Sequence, residues 1–319
     1  MPFKDIKGQE RALEIIKINL DRGKLAGGYL FTGPESVGKK MSARVLSQAL
    51  NCLQNTNDAC GVCSSCIKIE KGQHPDVHII SSNDPKLKIE EIRQLKKDIY
   101  LRAYEGKFKV FIIDNAHTLT PEASNCLLKV LEEPPDSSLI ILVTDKGPML
   151  FKTIISRCKV VKFKAQKRQD LELILREGYN LDKGLAHFLA YFSEGKLGNA
   201  LRLKDSDILR VRNNIIDRLM APSLFDLAGL KIEDRKSFYL SLNILNTWFR
   251  DLYLMKFGMP QLEAINSDRS GELSKALVYF SISDLERILT AIFNTAAYLE
   301  RNINTRLLLH NLKAQIWVS

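Results

Sequence analysis

Apolar and polar residues fall into short blocks through the first half of the chain. Tyr29 to Thr32 reads YLFT, an apolar run that opens into a glycine loop. Val77 to Ser81 (VHIIS), Lys109 to Asp114 (KVFIID) and Leu139 to Thr144 (LIILVT) are runs of the same kind, each ending on a polar residue. Their length and apolar character predict strands. Helical patterns lie between them, and in one of these Ile89, Ile92, Leu95 and Ile99 share a face. Strands alternating with helices predict an α/β domain built on a parallel sheet, with ligands at the carboxyl ends of its strands.

After about Phe163 the strand signals stop. Residues 164–210 read as short helices, including DLELIL and GLAHFLAYFSEGKLGNALRL. From 211 to 319, apolar residues recur at helical spacing, punctuated by Pro222 and by GMP at 258–260. The expected organisation is therefore an α/β domain over 1–163, a small helical domain over 164–210 and an all-α region over 211–319.

Composition changes this picture little. Apolar residues make up 45% of the 319 and charged residues 26%, ordinary values for a globular protein. No apolar run reaches the ~18 residues a membrane span needs. The start, MPFKDIKGQE, lacks the apolar core of a secretory signal, so the cytoplasm is the expected compartment and no membrane partner is expected. Lys and Arg total 47 against 37 Asp and Glu, a net charge of +10 that is compatible with nucleic acid but does not require it.

FTGPESVGKK matches G-x-x-x-x-G-K at Gly33, Gly38 and Lys39, between a predicted strand and a predicted helix. Backbone N–H groups of such a loop wrap phosphates, and Lys39 is placed to reach the outer ones. The next residue should be Ser or Thr, whose hydroxyl ligates magnesium; here it is Lys40. An ammonium cannot ligate a cation, though its charge can partly replace one. KVFIID ends in Asp114, a carboxylate fit to hold magnesium through water, but the following position is Asn115 rather than a water-polarising Glu. Losing a general base costs ~10²–10⁴ in rate. ATP or ADP therefore remains a candidate ligand, while hydrolysis is in doubt.

Four of the six cysteines, Cys52, Cys60, Cys63 and Cys66, follow the spacing C-x7-C-x2-C-x2-C. Clustered thiols in a cytosolic chain point to a metal rather than to disulfides. Four thiolates close a tetrahedral zinc site, for which a structural role is expected, and they also suit an iron–sulfur cluster. Cys126 and Cys158 fall outside this set. His74, His78 and His117 lack metal-ligand spacing and read as structural or surface residues.

Taken together, FKDIKGQE, LFTGPESVGK, the four-cysteine insertion, YEGKFKVFIIDNAHTLT, ASNCLLKVLEEPP and ISRC resemble the bacterial DNA polymerase III clamp-loader AAA+ family over residues 1 to 205. The resemblance implies an AAA+ P-loop domain over 1–163 with an inserted zinc module at 52–66, a helical lid over 164–210 and a collar over 211–319. It implies a hetero-oligomeric ring with gamma/tau and delta subunits, a sliding clamp and primer–template DNA as partners. It also implies a part in ATP-driven clamp loading during replication, within a polymerase holoenzyme.

Within that family, Lys40, Asn115 and Gly198 (where the motor type would place a sensing arginine) imply the delta-prime type, without ATPase activity of its own. In ISRC, the resemblance makes Arg157 a finger acting in trans on a neighbour's ATP. Thr144 fits a sensor position, or is simply a strand-terminal hydroxyl. Arg93, Lys96 and Lys97 face DNA in this reading, or form a solvated basic face. Two other functions compete: an active gamma/tau-type motor, opposed by Lys40 and Asn115, and a zinc-stabilised nucleotide-binding regulator, opposed by the linked LEEPP and SRC motifs.

Overall fold

A computed structural model describes residues 2–316 except 24, 26, 55–56, 82–86, 88, 221–233 and 302. Pro222, read above as a break between helices, lies outside the described residues. The chain divides into two compact units. One holds residues 1–174 and 195–199, the other 175–194 and 200–319. The strand Cys158–Lys162 of the first unit ends one residue before Phe163, and the helix Ile208–Leu219 of the second passes through position 210.

The first unit is built on five parallel strands: β1 (Gly27–Thr32), β2 (Val77–Ile80), β3 (Lys109–Ile113), β4 (Ser138–Thr144) and β5 (Cys158–Lys162). Their order across the sheet is β2-β3-β4-β1-β5. Side chains alternate faces along each strand. Tyr29, Phe31, Val110, Ile112, Ile141 and Val143 pack on one side with Ile16 of α1 (Glu10–Asp21), Leu46 of α2 (Lys39–Leu50) and Ile69 of α3 (Ser64–Glu70). Leu30, Phe111, Ile113, Ile140 and Leu142 pack on the other. Their partners are Ile92 and Leu95 of α4 (Ile89–Asp98), Leu127 and Val130 of α5 (Pro121–Glu132) and Ile154 of α6 (Lys152–Ile155). Burial on both faces is why these strands read as continuous apolar runs rather than as alternating patterns.

Four strands and α4 lie where the periodicity puts them. β5 carried no recognised signal. In CKVVK only Val161 is fully buried, and the exposed lysines suit a sheet edge, where charge discourages further pairing.

Among its described residues the second unit contains helices and no strand. Its helices are α8 (Lys183–Phe192), α10 (Ile208–Leu219), α11 (Arg235–Lys256), α12 (Ser270–Tyr279), α13 (Ile282–Glu300) and α14 (Thr305–Ile316), while α7 (Arg168–Tyr179) and α9 (Leu197–Lys204) each run from one unit into the other. Phe238, Leu242, Leu245, Trp248, Phe249 and Leu252 of α11 are buried, as are Leu285, Ile288 and Ile292 of α13, against which α11 packs. Ser281 caps α13 in a reciprocal box with Asp284. Among the described residues no helix is long and apolar enough to cross a membrane.

A buried carboxylate fixes the amino-terminal edge of the sheet. Asp76 is fully buried and accepts backbone N–H bonds from Tyr104 (2.7 Å), Glu105 (2.9 Å) and Gly106 (2.8 Å). Burial raises its pKa, but the three N–H donors outweigh burial and hold the carboxyl below its ordinary value. Asn51, at the end of α2, pairs with both the N–H and the carbonyl of Phe108 (2.9 and 3.0 Å). The loop into β3 is thus pinned from two sides.

Asp76→Ala strands three donors, and it is expected to cost on the order of 3 kcal/mol in urea unfolding at neutral pH. Because the folded-state pKa is depressed, the charged form's contribution is complete above the unfolded value of ~3.9 and is lost as the pH falls through the lower folded value. The stability gap between wild type and variant should therefore hold from neutral pH down to about 4 and narrow only below it.

Candidate functional site

The phosphate loop runs from the end of β1 into α2 at the carboxyl edge of the sheet. Gly33 has φ +144°, and a Cβ there would lie 2.1 Å from the Phe163 carbonyl oxygen, so only glycine fits. Gly38, at φ +100°, turns the chain into α2. Lys39 is buried, and its ammonium donates to the carbonyls of Gly33 (2.7 Å) and Pro34. Burial lowers its pKa, opposed by the charges of Asp145, Asp114 and Glu35.

Lys40 answers the question the motif raised. Its Nζ lies 2.9 Å from Oδ2 of Asp114, with the two side chains 41% and 20% exposed. The residue that displaces the magnesium hydroxyl is thus paired with the carboxylate that would hold magnesium. A partly exposed pair of this kind stabilises the fold by only ~0–1 kcal/mol. Its effect on a cation is larger: a divalent ion ~4 Å from an ammonium is repelled by about 8 kcal/mol at an effective dielectric near 20. The donor set does not fit magnesium while this pair is formed. Asn115 adopts a left-handed φ of +52°, which asparagine tolerates, and its N–H donates to Asp114 Oδ1 at 3.0 Å.

Thr144, at the end of β4, is buried. Its Oγ1 lies 3.0 Å from Nδ1 of His117 and accepts the Lys146 N–H at 3.0 Å. His117 Nδ1 is 3.5 Å from Asp145 Oδ1. His117 and Asp145 therefore belong to the same carboxyl edge. Sequence reasoning missed both: the only available cue for His117 was its place three residues beyond Asp114.

Arg157 precedes β5. Its Nε donates to Glu132 Oε1 at 2.6 Å, Nη2 pairs with the same carboxylate, and Nη1 donates to the Thr153 carbonyl at 2.9 Å. The guanidinium is thus engaged by its own chain. Glu132, the first glutamate of LEEPP, is a partner that the motif alone did not reveal.

The sulfur atoms of Cys52, Cys60, Cys63 and Cys66 all lie within 4.8 Å of one another, and no disulfide joins them. Cys60 Sγ and Cys66 Sγ are 3.9 Å apart. A zinc tetrahedron with ~2.3 Å bonds has edges of about 3.8 Å, so the donor set fits a closed four-thiolate site. Cys63 caps α3, its sulfur accepting the Cys66 N–H at 3.4 Å. The Val62 N–H, foremost among its hydrogen bonds, draws the Cys60 thiol down to about 6, while burial pushes Cys66 up to about 12. Cys126 and Cys158 lie outside the cluster, and burial pushes the Cys158 thiol up to about 12.

Residues 8–167 match the family described as DNA polymerase III, delta subunit. A gamma subunit from Buchnera aphidicola subsp. Acyrthosiphon pisum is 32% identical over 249 residues, covering 76% of this chain and 67% of that one. The chain belongs to the clamp-loader AAA+ subunits of DNA polymerase III. The tau subunit of Escherichia coli K12 is 38% identical over 212 residues, 65% of this chain and 33% of tau, so this clamp-loader chain matches only about a third of tau's length. The delta-prime subunit of Bacillus subtilis 168 is 30% identical over 199 residues, 62% of this chain and 60% of that one. Among solved structures, a gamma-subunit-related protein of Thermotoga maritima is 18% identical with a TM-score of 0.46, covering 96% of this chain and 98% of that one.

In this clamp-loader chain Gly198 lies against the phosphate loop. Its N–H donates to the Ser36 carbonyl at 2.8 Å, and a Cβ at 198 would stand 2.8 Å from that same oxygen. Since the obstacle is backbone, Gly198→Ala must displace either the start of α9 or the loop. Overpacking of this kind costs about 1–3 kcal/mol. Thermal unfolding of the variant should show that loss, whereas Asn199→Ala, one position on, should be nearly neutral.

Proposed function

We propose that this chain is the delta-prime-type subunit of the DNA polymerase III clamp loader: a ring member that does not hydrolyse ATP itself and completes a neighbour's site. The observation that carries this reading is the Lys40–Asp114 ion pair, which engages the magnesium-holding carboxylate with a lysine of the same chain. Asn115 removes the water-polarising group as well, and Gly198 has no room for a sensing side chain. The second reading, a gamma/tau-type motor, is favoured by overall similarity, since tau is 38% identical where delta-prime is 30%. The residues that would do the chemistry argue the other way.

In this proposal residues 1–163 form the AAA+ core, 164–210 the lid and 211–319 the collar. The chain works in the cytoplasm with gamma/tau and delta subunits, the sliding clamp and primer–template DNA. The exposed Arg93 and Lys97 and the half-buried Lys96, on the polar face of α4, are available to the DNA backbone. The four thiolates hold a structural zinc ion. Arg157 acts in trans, leaving Glu132 to lie over the neighbour's γ-phosphate, where a planar fork stabilises transferring charge.

The purified chain should show no steady ATP turnover; a rate near ~1 s⁻¹, the low end of enzyme values, would establish the motor reading instead. Elemental analysis of protein never exposed to chelator should find one zinc per chain, and iron in its place would overturn that assignment. Cys60→Ser should lower the unfolding temperature, because a structural zinc contributes folding energy.

In the reconstituted ring, Arg157→Ala should leave assembly intact and slow the one adjacent site by ~10³-fold or more, so total ATPase falls in part and clamp loading falls further. Arg157→Lys should not rescue, since a point charge lacks the fork. Normal loading by an assembled Arg157→Ala ring would return Arg157 to a role within its own chain.

A further inference from the structure

We infer that the phosphate loop of this chain takes a nucleoside diphosphate without magnesium, the Lys40 ammonium serving in place of the ion. The inference rests on the phosphate-loop part of the reading above and is independent of whether the chain hydrolyses ATP.

Two departures from the motor pattern, taken separately, each look like damage. Taken together, they compensate. In a motor site the ion brings two positive charges and the water-polarising glutamate one negative charge, alongside the loop lysine and the strand-end aspartate. Here Lys40 supplies one positive charge and Asn115 none. The balance of these groups with Lys39 and Asp114 is one positive charge in both cases. The sensing arginine of the motor pattern, replaced here by Gly198, lies outside this balance and would add a further positive charge that this site lacks.

The geometry supports the exchange. Lys40 Nζ sits 2.9 Å from Asp114, and Asp114 is also fixed by the Asn115 N–H. An ammonium has three donors, so Lys40 can keep Asp114 and still offer two to phosphate oxygens. Lys39 meanwhile donates to the Gly33 and Pro34 carbonyls, bonds it can trade for phosphate oxygens. The other charged groups near Lys39, Asp145 and Glu35, are acidic and disfavour a further phosphate. Gly198 brings no cation to one. A diphosphate therefore suits the site better than a triphosphate.

The test is a calorimetric titration of ADP into the zinc-loaded full chain, in buffer freed of magnesium by resin rather than by a chelator that would strip the cysteine site. ADP should bind, and millimolar magnesium should change Kd by less than about threefold. Lys40→Met should weaken metal-free binding about tenfold or more, with no recovery in magnesium. Lys40→Thr should lose metal-free binding equally but regain it in magnesium, through the introduced hydroxyl and Asp114. Circular dichroism of both variants, at a partly exposed position, guards against misfolding.

Three results would overturn the inference: no ADP binding in either buffer, wild-type affinity rising tenfold or more with magnesium, or a folded Lys40→Met that binds metal-free ADP as wild type does. ATP turnover measured on the same samples bears only on the non-hydrolysing reading, so the two can fail separately.

Discussion

A carboxylate standing at the end of a buried strand needs a counter-charge, and in this fold the choice of counter-charge governs the rest of the site. Asp114 follows five buried residues of β3, so the core brings it to this edge before its own contacts are made. Whatever neutralises it sits beside the phosphate loop, because β3 and β1 both end on that edge, separated by β4. With a metal as partner, and a glutamate at 115 to polarise water, such an edge could turn over. With Lys40 as partner, the same scaffold holds charge in place and leaves the carboxylate occupied. The sheet itself does not have to change between the two cases.

Much of this edge is legible in the amino-acid sequence. The continuous apolar runs located β1 to β4 because a parallel sheet covered on both faces leaves no polar stripe to confuse the pattern. Gly33, Gly38 and Lys39 could be placed because their spacing reports a backbone shape that few other residues allow. Asp114 followed from its position at a strand end. The cysteine cluster was equally plain, since thiols two residues apart on a turn leading into α3 converge on one point.

Most of what could not be read has one cause: it depends on contacts between residues far apart in the chain. Nothing in the spacing of Lys40 and Asp114, or of Arg157 and Glu132, shows that their side chains meet. His117 looked unremarkable until Thr144 was beside it. Asp76 was invisible as an anchor, because its three partners are backbone groups that any sequence would supply. β5 was missed for a different reason. An edge strand buries one residue in five here, and its lysines mask the rest.

If the chain is of the delta-prime type, as proposed above, the Gly198 contact would make the loss of a motor hard to reverse in evolution. Restoring a hydroxyl at position 40 and a glutamate at 115 takes changes at exposed or half-exposed positions, each tolerable alone. Restoring a long side chain at 198 runs into the Ser36 carbonyl, a backbone obstacle that no rotamer can avoid. A lineage drifting back toward catalysis would meet that barrier last and would have to rebuild the loop or the start of α9 to pass it. The packing would then work as a ratchet: with the start of α9 seated on the loop, the fold itself selects for glycine at 198.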